Sequence, residues 1–154
     1  MAGELSTIGM KFAYGVETTA GTKPASFTAI LGALTLPEFP LEPQQIDVTP
    51  LDETVAHRYI PGLANEGSAK AIQFNLNDAF KTAWEAMRTA YAGLGSGLSM
   101  WFEFYHPDMT DGFFFTGAPA ELGFGGGAVD AANTINAYIT PNEIKGWEAK
   151  VVPA

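Results

Sequence analysis

Residues 98 to 105 read LSMWFEFY and residues 112 to 117 read GFFFTG, two aromatic runs separated by the six residues HPDMTD. Aromatic side chains favour β-strands because they pack well on a pleated surface. Pro and Asp in the connecting residues are typical of a tight turn. The sequence therefore predicts two neighbouring strands that pair antiparallel as a hairpin.

Three further segments alternate between apolar and polar residues, as strands with one buried face do. They are Gln45 to Thr49, Ala71 to Leu76 and Asn133 to Thr140. Thr28 to Leu36 is also predicted as a strand, which ends before Pro37 because proline cannot donate to a sheet. Together with the aromatic hairpin, these segments give five to seven strands.

One amphipathic helix is predicted after the Ala71 to Leu76 strand. Asn77 or Asp78 can cap it, and apolar residues then recur at helical spacing. Gly93 and Gly95 provide a C-terminal stop. The stripe consists of Phe80, Trp84, Met87 and Tyr91. We interpret it as core packing.

One helix among five to seven strands predicts a mainly β fold. The expected architecture is a β-sandwich or a partly rolled antiparallel barrel with one flanking α-helix. Neither an internal repeat nor a linker divides residues 1 to 154, so a single domain is expected. Within it, residues 1 to about 27 are predicted to form an extended N-terminal arm. Residues 51 to about 68 are predicted to form a long inter-strand loop or an open hairpin.

Composition narrows the possible functions. The chain has no cysteine, so disulfides and thiolate metal sites are excluded. Its net charge is -9, with no cluster of Lys or Arg, which argues against tight nucleic-acid binding. Charged residues make up 16% of the chain, against roughly 25% in a typical soluble domain. We therefore expect self-association, and neither a signal peptide nor a membrane-spanning segment is predicted.

The sequence contains no recognisable catalytic motif. His57 and His106 are the candidate general bases, and neither lies in a motif. The run from Gly123 to Ala128 formally matches a dinucleotide fingerprint, but a strand-like segment follows it where a helix is required. Asp108 and Asp111 suit a turn better than a calcium loop. We therefore expect no enzyme activity and no catalytic residue, cofactor or metal site.

The segment from Leu51 to Ser68 is long for a connection within a compact domain, and such loops often bind partners. It carries apolar residues that a solvated loop would avoid: Val55, Tyr59, Ile60 and Leu63. Two interpretations stay open at this point. The loop covers its own core, or it inserts into a neighbouring subunit.

Several segments together resemble the major tail proteins, or tail tube proteins, of long-tailed (siphovirus-type) bacteriophages. The similarity is concentrated in the N-terminal half, and the Gly123 to Gly127 run departs from the family pattern. The segments that carry the resemblance are Leu5 to Gly9, Phe12 to Pro24, Ile46-Asp47, Leu51 to Val55, Tyr59 to Leu63, Trp101 to Glu103 and Phe113 to Phe115.

The resemblance implies a two-sheet sandwich with one helix, assembled as hexameric rings that stack into a hollow tube. Such a tube belongs to the virion, is assembled in the cytoplasm of the bacterial host, and conducts DNA during genome ejection. The implied partners are further copies of the chain, a tape measure protein, and tail tip and terminator proteins. DNA would pass without specific binding, and no membrane would be involved. An acidic or neutral lumen would suit this role because it repels phosphate, so that the duplex slides without sticking.

Carried over by position, Leu51 to Gly67 would be the loop that contacts neighbouring subunits and the next ring, and Leu5 to Pro24 an arm that orders on assembly. The expected contact residues are Leu51, Asp52, Glu53, Val55, Arg58, Tyr59, Ile60 and Leu63. We expect Arg58 to pair with Asp52 or Glu53 of a neighbour. The polar strand residues Gln73, Asn75 and Asn136 are candidates to face the lumen.

Other functions compete with the phage tube. A tube protein of a contractile secretion system would share the architecture and export proteins. A carbohydrate-binding or other ligand-binding β-sandwich module would expose Trp101, Tyr105 and Tyr138 as an aromatic platform. A hydrolase would need two carboxylates that converge in a pocket, and nothing in the sequence predicts that arrangement.

Overall fold

The computed structural model describes residues 9–41, 43–64 and 68–153, with the backbone alone for residues 62–64. Within these residues the fold is mainly β, with one helix, as predicted. The elements are β1 (Lys11–Val16), β2 (Thr28–Ile30), β3 (Ala33–Thr35), β4 (Pro43–Asp47), β5 (Tyr59–Ala64), β6 (Lys70–Asn75), α1 (Asp78–Ala92), β7 (Met100–Tyr105), β8 (Asp111–Pro119) and β9 (Thr134–Ala149).

Seven strands form one antiparallel sheet in the order β2-β1-β7-β8-β9-β6-β3. The two edge strands, β2 and β3, are consecutive in the chain and are joined by Leu31 and Gly32 alone. This short link brings the two edges of the sheet together, so the sheet is a nearly closed barrel. Gly32 adopts a φ of 90°, which favours glycine, and its carbonyl accepts a hydrogen bond from Asn75 N at 3.0 Å.

The aromatic hairpin lies near the middle of this sheet. β7 and β8 pair antiparallel with Phe102 opposite Phe115, which confirms the prediction from the sequence. Every residue of β7 is buried, including those on alternate sides of the strand. The hairpin is therefore covered on both faces, which its continuous apolar sequence permits.

On one face, phenylalanine rings meet the buried stripe of the helix. Phe12 stacks on Phe102, and Phe74 stacks on Phe80 with ring centroids 4.4 Å apart. The helix begins after Asn77, whose side chain accepts a hydrogen bond from Phe80 N at 2.8 Å, so the predicted cap is confirmed. The buried helical residues are Phe80, Trp84 and Met87.

On the other face, the connection between β1 and β2 covers the sheet. Ala13, Phe27, Trp101 and Phe114 form a buried cluster, with Val151 packed against it. This second cluster explains why the hairpin is buried on both sides.

The last strand extends far beyond the predicted end. β9 pairs with β6 through Ile139 and continues beside β8 as far as Ala149. The predicted strand ended at Thr140. Its pairing with β8 shifts register twice, near Pro141 and near Gly146. These irregularities accommodate residues that would otherwise end a strand.

The predicted N-terminal arm is wrong for residues 11 to 16, which form β1 between β2 and β7. Phe12 and Ala13 are fully buried, so this part of the chain belongs to the core. The predictions for Leu5 to Ile8 concern residues outside the described ranges. The predicted strand over Thr28 to Leu36 is two short strands, β2 and β3.

Residues 38–67 separate from the remainder of the chain as a compact unit of their own. The single-domain organisation predicted from the sequence stays a prediction. Within this unit, β4 and β5 pair antiparallel as a two-stranded sheet. The segment predicted as a loop or an open hairpin from residue 51 is thus the connection and second strand of a hairpin.

Candidate assembly interface

The hairpin of β4 and β5, together with its connection, contains every predicted subunit-contact residue. Its first strand is exposed along its whole length. Ile46 lies directly opposite Ile60, and the two side chains are 48% and 46% exposed. The prediction that Ile46 and Val48 form a buried face is wrong, since Val48 is also exposed. The hairpin therefore presents apolar side chains to solvent.

Polar contacts hold the two ends of the hairpin connection together. Asp47 Oδ1 accepts hydrogen bonds from Thr49 N at 2.9 Å and Thr49 Oγ1 at 2.5 Å. Thr49 Oγ1 in turn accepts one from Arg58 N at 2.7 Å, and Val48 N donates to Arg58 O at 2.9 Å. The hydrogen bonds from Thr49 lower the pKa of Asp47. The connection consequently starts and ends at a defined position.

Glu53 organises the middle of the connection. Its Oε1 accepts hydrogen bonds from Thr54 N and Val55 N, both at 3.1 Å. Its Oε2 lies 2.9 Å from Nη2 of Arg58 in the same chain. The predicted partner of Arg58 was a carboxylate of a neighbour, and here the guanidinium is paired within one copy. The pairing across subunits stays a prediction.

The other predicted contact residues differ in their exposure. Leu51 and Val55 are almost wholly exposed, Asp52 is exposed, and Tyr59 is about half exposed. Leu63 is part of β5, but its side chain lies outside the described residues. Exposed apolar groups on a short hairpin are suited to packing against another surface.

The candidate lumen residues share one face of the barrel. Gln73 and Asn136 are directly opposite each other on β6 and β9, and Asn75 lies two residues further along β6. Their neighbours Ile72, Phe74 and Ile135 point into the buried core. Together they form a polar patch on the outside of the barrel. That this patch faces a lumen stays a prediction.

The aromatic platform of the ligand-binding alternative is not formed. Trp101 and Tyr105 are buried, whereas Tyr138 is about half exposed. Only one of the three rings is therefore available to a ligand. The predicted requirement of that alternative is not met.

His57 lies near a hydroxyl and a carboxylate, but the arrangement differs from a catalytic triad. Nδ1 of His57 is 3.3 Å from Thr49 Oγ1 and 3.4 Å from Asp47 Oδ2. A triad needs the nucleophile and the carboxylate on opposite ring nitrogens. Within residues 9–41, 43–64 and 68–153, no group of three His, Asp or Glu side chains could hold a metal. None of the helices described there is long and apolar enough to cross a bilayer.

Sequence reasoning missed the roles of Asp47 and Thr49 in closing the hairpin connection. Their spacing carries a recognisable signal, because an Asp side chain commonly accepts from the backbone N–H two residues on. The prediction treated both only as the polar side of a strand.

The comparisons with known proteins identify a fold. No protein-family model matches the sequence, and no curated protein matches it significantly. Among solved structures, the chain is similar to a chain from the cryo-electron microscopy structure of the anti-feeding prophage baseplate, symmetrised with six-fold symmetry. The TM-score is 0.58 at 8% sequence identity, covering 94% of this chain and 96% of that one. The chain therefore shares the fold of a prophage baseplate component.

Proposed function

We propose that this protein is a structural subunit of a phage tail tube, which assembles into stacked hexameric rings and conducts DNA without catalysing a reaction. The observation that supports this most is the fold shared with a chain of a six-fold symmetrised prophage baseplate across nearly the whole length of both chains. In this proposal the protein is a virion component, assembled in the host cytoplasm with the partners that the sequence resemblance implies.

The exposed hairpin supports the proposal independently. An isolated two-stranded hairpin is only marginally stable in water. This one has a fully exposed first strand and apolar residues on its surface, with Ile46 and Ile60 on facing positions. Packing against a neighbouring subunit would remove these groups from water and stabilise the hairpin.

The net negative charge of the chain supports the proposed passage of DNA. With 17 acidic against 8 basic residues, the surface repels phosphate on average. The outer patch with Gln73, Asn75 and Asn136 offers uncharged polar groups that do not bind a duplex tightly. A ring that places this patch inward would let DNA slide.

The test is electron microscopy of the purified protein over a range of concentrations, with its mass measured in parallel. We expect rings or hollow tubes with six-fold end views at high concentration or after seeding with tail tips. A monomer at every concentration, with no tubes after seeding, would refute the proposal.

One variant in the hairpin and one control variant outside it extend that experiment. Ile60→Ser should suppress assembly because it removes an exposed apolar contact without touching the barrel core. Ser96→Thr, in the exposed turn that follows α1, should assemble like the wild type. Both variants should keep the circular dichroism spectrum of the parent chain.

A further inference from the structure

The connection between β8 and β9 carries an unusually exposed aromatic side chain. Phe124 lies within the sequence GFGGG and is 89% exposed, and Val129 is exposed to a similar extent. Removing a phenylalanine side chain from water is favourable, so an exposed one is available to stabilise a contact. The proposed tube function rests on the hairpin and the polar outer patch and assigns no role to this segment.

The glycines position the phenylalanine away from the body of its own chain. Gly125 lies directly against the carbonyl oxygen of Thr134, where no larger residue fits. This contact fixes the base of the connection at the start of β9. A Cβ on Gly123 or Gly127 would meet only open space among the described residues. Phe124 therefore projects from a segment that is itself free of bulky side chains.

A second feature of the same fold is an apolar groove beside β3. It has a volume of about 430 Å³ and lies where the residue before β1 approaches the edge strand. Its lining is Met10, Ala33, Leu34, Thr35, Leu36 and Pro37. None of these residues is charged, and Leu34 and Met10 are partly exposed.

The segment and the groove match in size and in charge. The groove volume of about 430 Å³ exceeds that of one phenylalanine ring, and burying such a side chain removes roughly 150 to 250 Å² from water. Residues 122 to 129 contain no charged group. Each copy carries a net charge of -9, so copies repel one another. Contact through uncharged segments such as these meets the least electrostatic repulsion.

We propose that Phe124 of one copy inserts into the groove of the next copy, between Met10 and the segment Leu34–Pro37. This inference rests on the proposed function, because it assumes that the chain self-associates. The donor and the acceptor are different surfaces, so the contact is heterologous. Such a contact repeats from copy to copy and generates a ring or a filament instead of a closed pair.

A single insertion is a weak contact. It buries far less than the roughly 1,200 to 2,000 Å² of a stable protein interface. Two isolated copies would therefore separate quickly, whereas a closed ring holds every copy by two such contacts and by its other interfaces. The insertion thus favours growth on an existing ring over pairing in dilute solution.

Site-specific disulfide trapping tests this contact, because the native chain has no cysteine. One sample carries Gly123→Cys, which leaves Phe124 in place, and the other carries Thr35→Cys in the groove. Mixing them under mild oxidation should yield a mixed disulfide between the two samples. The matched control replaces Thr35→Cys by Thr22→Cys, an exposed threonine outside the groove lining.

We expect the groove pair to cross-link at least roughly tenfold more than the control pair, since burial of a phenylalanine contributes about that factor to association. Adding Phe124→Ser to the Gly123→Cys chain should reduce the yield to the control level. Equal yields, or a yield that Phe124→Ser leaves unchanged, would overturn the inference.

Two further outcomes separate this inference from its alternatives. If one chain carrying both Gly123→Cys and Thr35→Cys closes a disulfide at a rate independent of concentration, the segment occupies its own groove and the inference fails. Rings of the wild type without a groove cross-link would overturn the inference and leave the proposed function standing. A chain that neither assembles nor cross-links would overturn both.

Discussion

The indole Nε1 of Trp101 donates a hydrogen bond of 2.7 Å to Oε2 of Glu17, and both side chains are buried. Ser99 N donates to the other carboxylate oxygen at 2.9 Å. Burial by itself raises the pKa of Glu17, but these two hydrogen bonds, a third from the backbone of Gly21 and the charge of Lys145 together outweigh it, so that the pKa is lowered. The pair ties the residue that follows β1 to the start of β7 and holds the covering connection in place.

Trp101→Phe should destabilise the protein by about 1 to 3 kcal/mol, because it removes one hydrogen-bond donor from a buried carboxylate. Urea unfolding followed by circular dichroism measures the change. Trp147→Phe is the matched control, since Trp147 is 60% exposed and the substitution is the same. Equal losses in the two variants would show that ring size, and not the hydrogen bond, explains the effect.

Glu103→Gln should flatten the dependence of stability on pH. Glu103 is fully buried, and burial raises its pKa, against a hydrogen bond from Val151 N and the charges of Lys23 and Lys150. Its Oε1 has no hydrogen-bond partner among the described residues. The folded state therefore binds this proton more tightly than the unfolded state, whose carboxyl titrates near 4.5.

The sign follows from this difference in pKa. The stability contributed by Glu103 is fully present below the unfolded pKa and declines as the pH rises through the folded pKa. Glutamine keeps an acceptor for Val151 N and carries no charge, so the variant should gain stability relative to the wild type between about pH 4 and about pH 8. Thermal unfolding at both pH values measures the gain, and Glu121→Gln, on an exposed glutamate, should show none.

Gly117→Ala should destabilise the chain by about 1 to 3 kcal/mol through steric overlap. A Cβ at this position would lie 2.5 Å from the carbonyl oxygen of Thr140, a backbone atom that cannot move without disturbing the pairing of β8 with β9. Gly123→Ala is the control, because its Cβ meets open space among the described residues. Chemical unfolding of the two variants should differ, and similar midpoints would contradict the prediction.

Arg58→Glu should weaken assembly, because it replaces the pair with Glu53 by a repulsion. Sedimentation of assembled material measures the loss. The double variant Arg58→Glu with Glu53→Arg should recover assembly. A mixture of the two single variants should recover it only if the pair forms between copies, which tests the predicted intersubunit pairing against the pairing seen within one chain.

Local sequence patterns were sufficient for the aromatic hairpin and the helix. Phe102 and Phe115 lie in runs whose composition alone favours strands, and the spacing from Phe80 to Met87 alone favours a helix. Asn77 then marks the helix start by its capping chemistry.

β1 escaped prediction because one of its faces is built from small residues. Ala13 and Gly15 face the covering connection, and a Cβ on Gly15 would lie 2.9 Å from the carbonyl oxygen of Ser26. This requirement comes from Ser26, eleven residues further along the chain, so the sequence of β1 by itself does not show the alternation. The second half of β9 was missed because Pro141 and Gly146 are residues that usually end a strand. Register shifts in the pairing with β8 accommodate both, and the sequence alone does not show those shifts.

The apolar residues were enough to locate the candidate interface in the sequence. They did not predict the ion pair and the hydrogen bonds within it. Tyr59 and Ile60 indicated a contact segment, whereas the pairing of Arg58 with Glu53 depends on how the connection bends back on itself. A bend of this kind is set by several hydrogen bonds at once, and the sequence shows only one of them as a pattern, the Asp47 and Thr49 spacing.

The two-residue link of Leu31 and Gly32 leaves the seven-stranded sheet with edge strands of only three residues each. Short edges are poor templates for amyloid-like growth, which needs long rows of unsatisfied amides. Such edges protect the barrel against irreversible aggregation at the high protein concentration that the proposed tube assembly requires. In the proposed tube, polymerisation would proceed through side-chain contacts, which dissociate and re-form until they are correct.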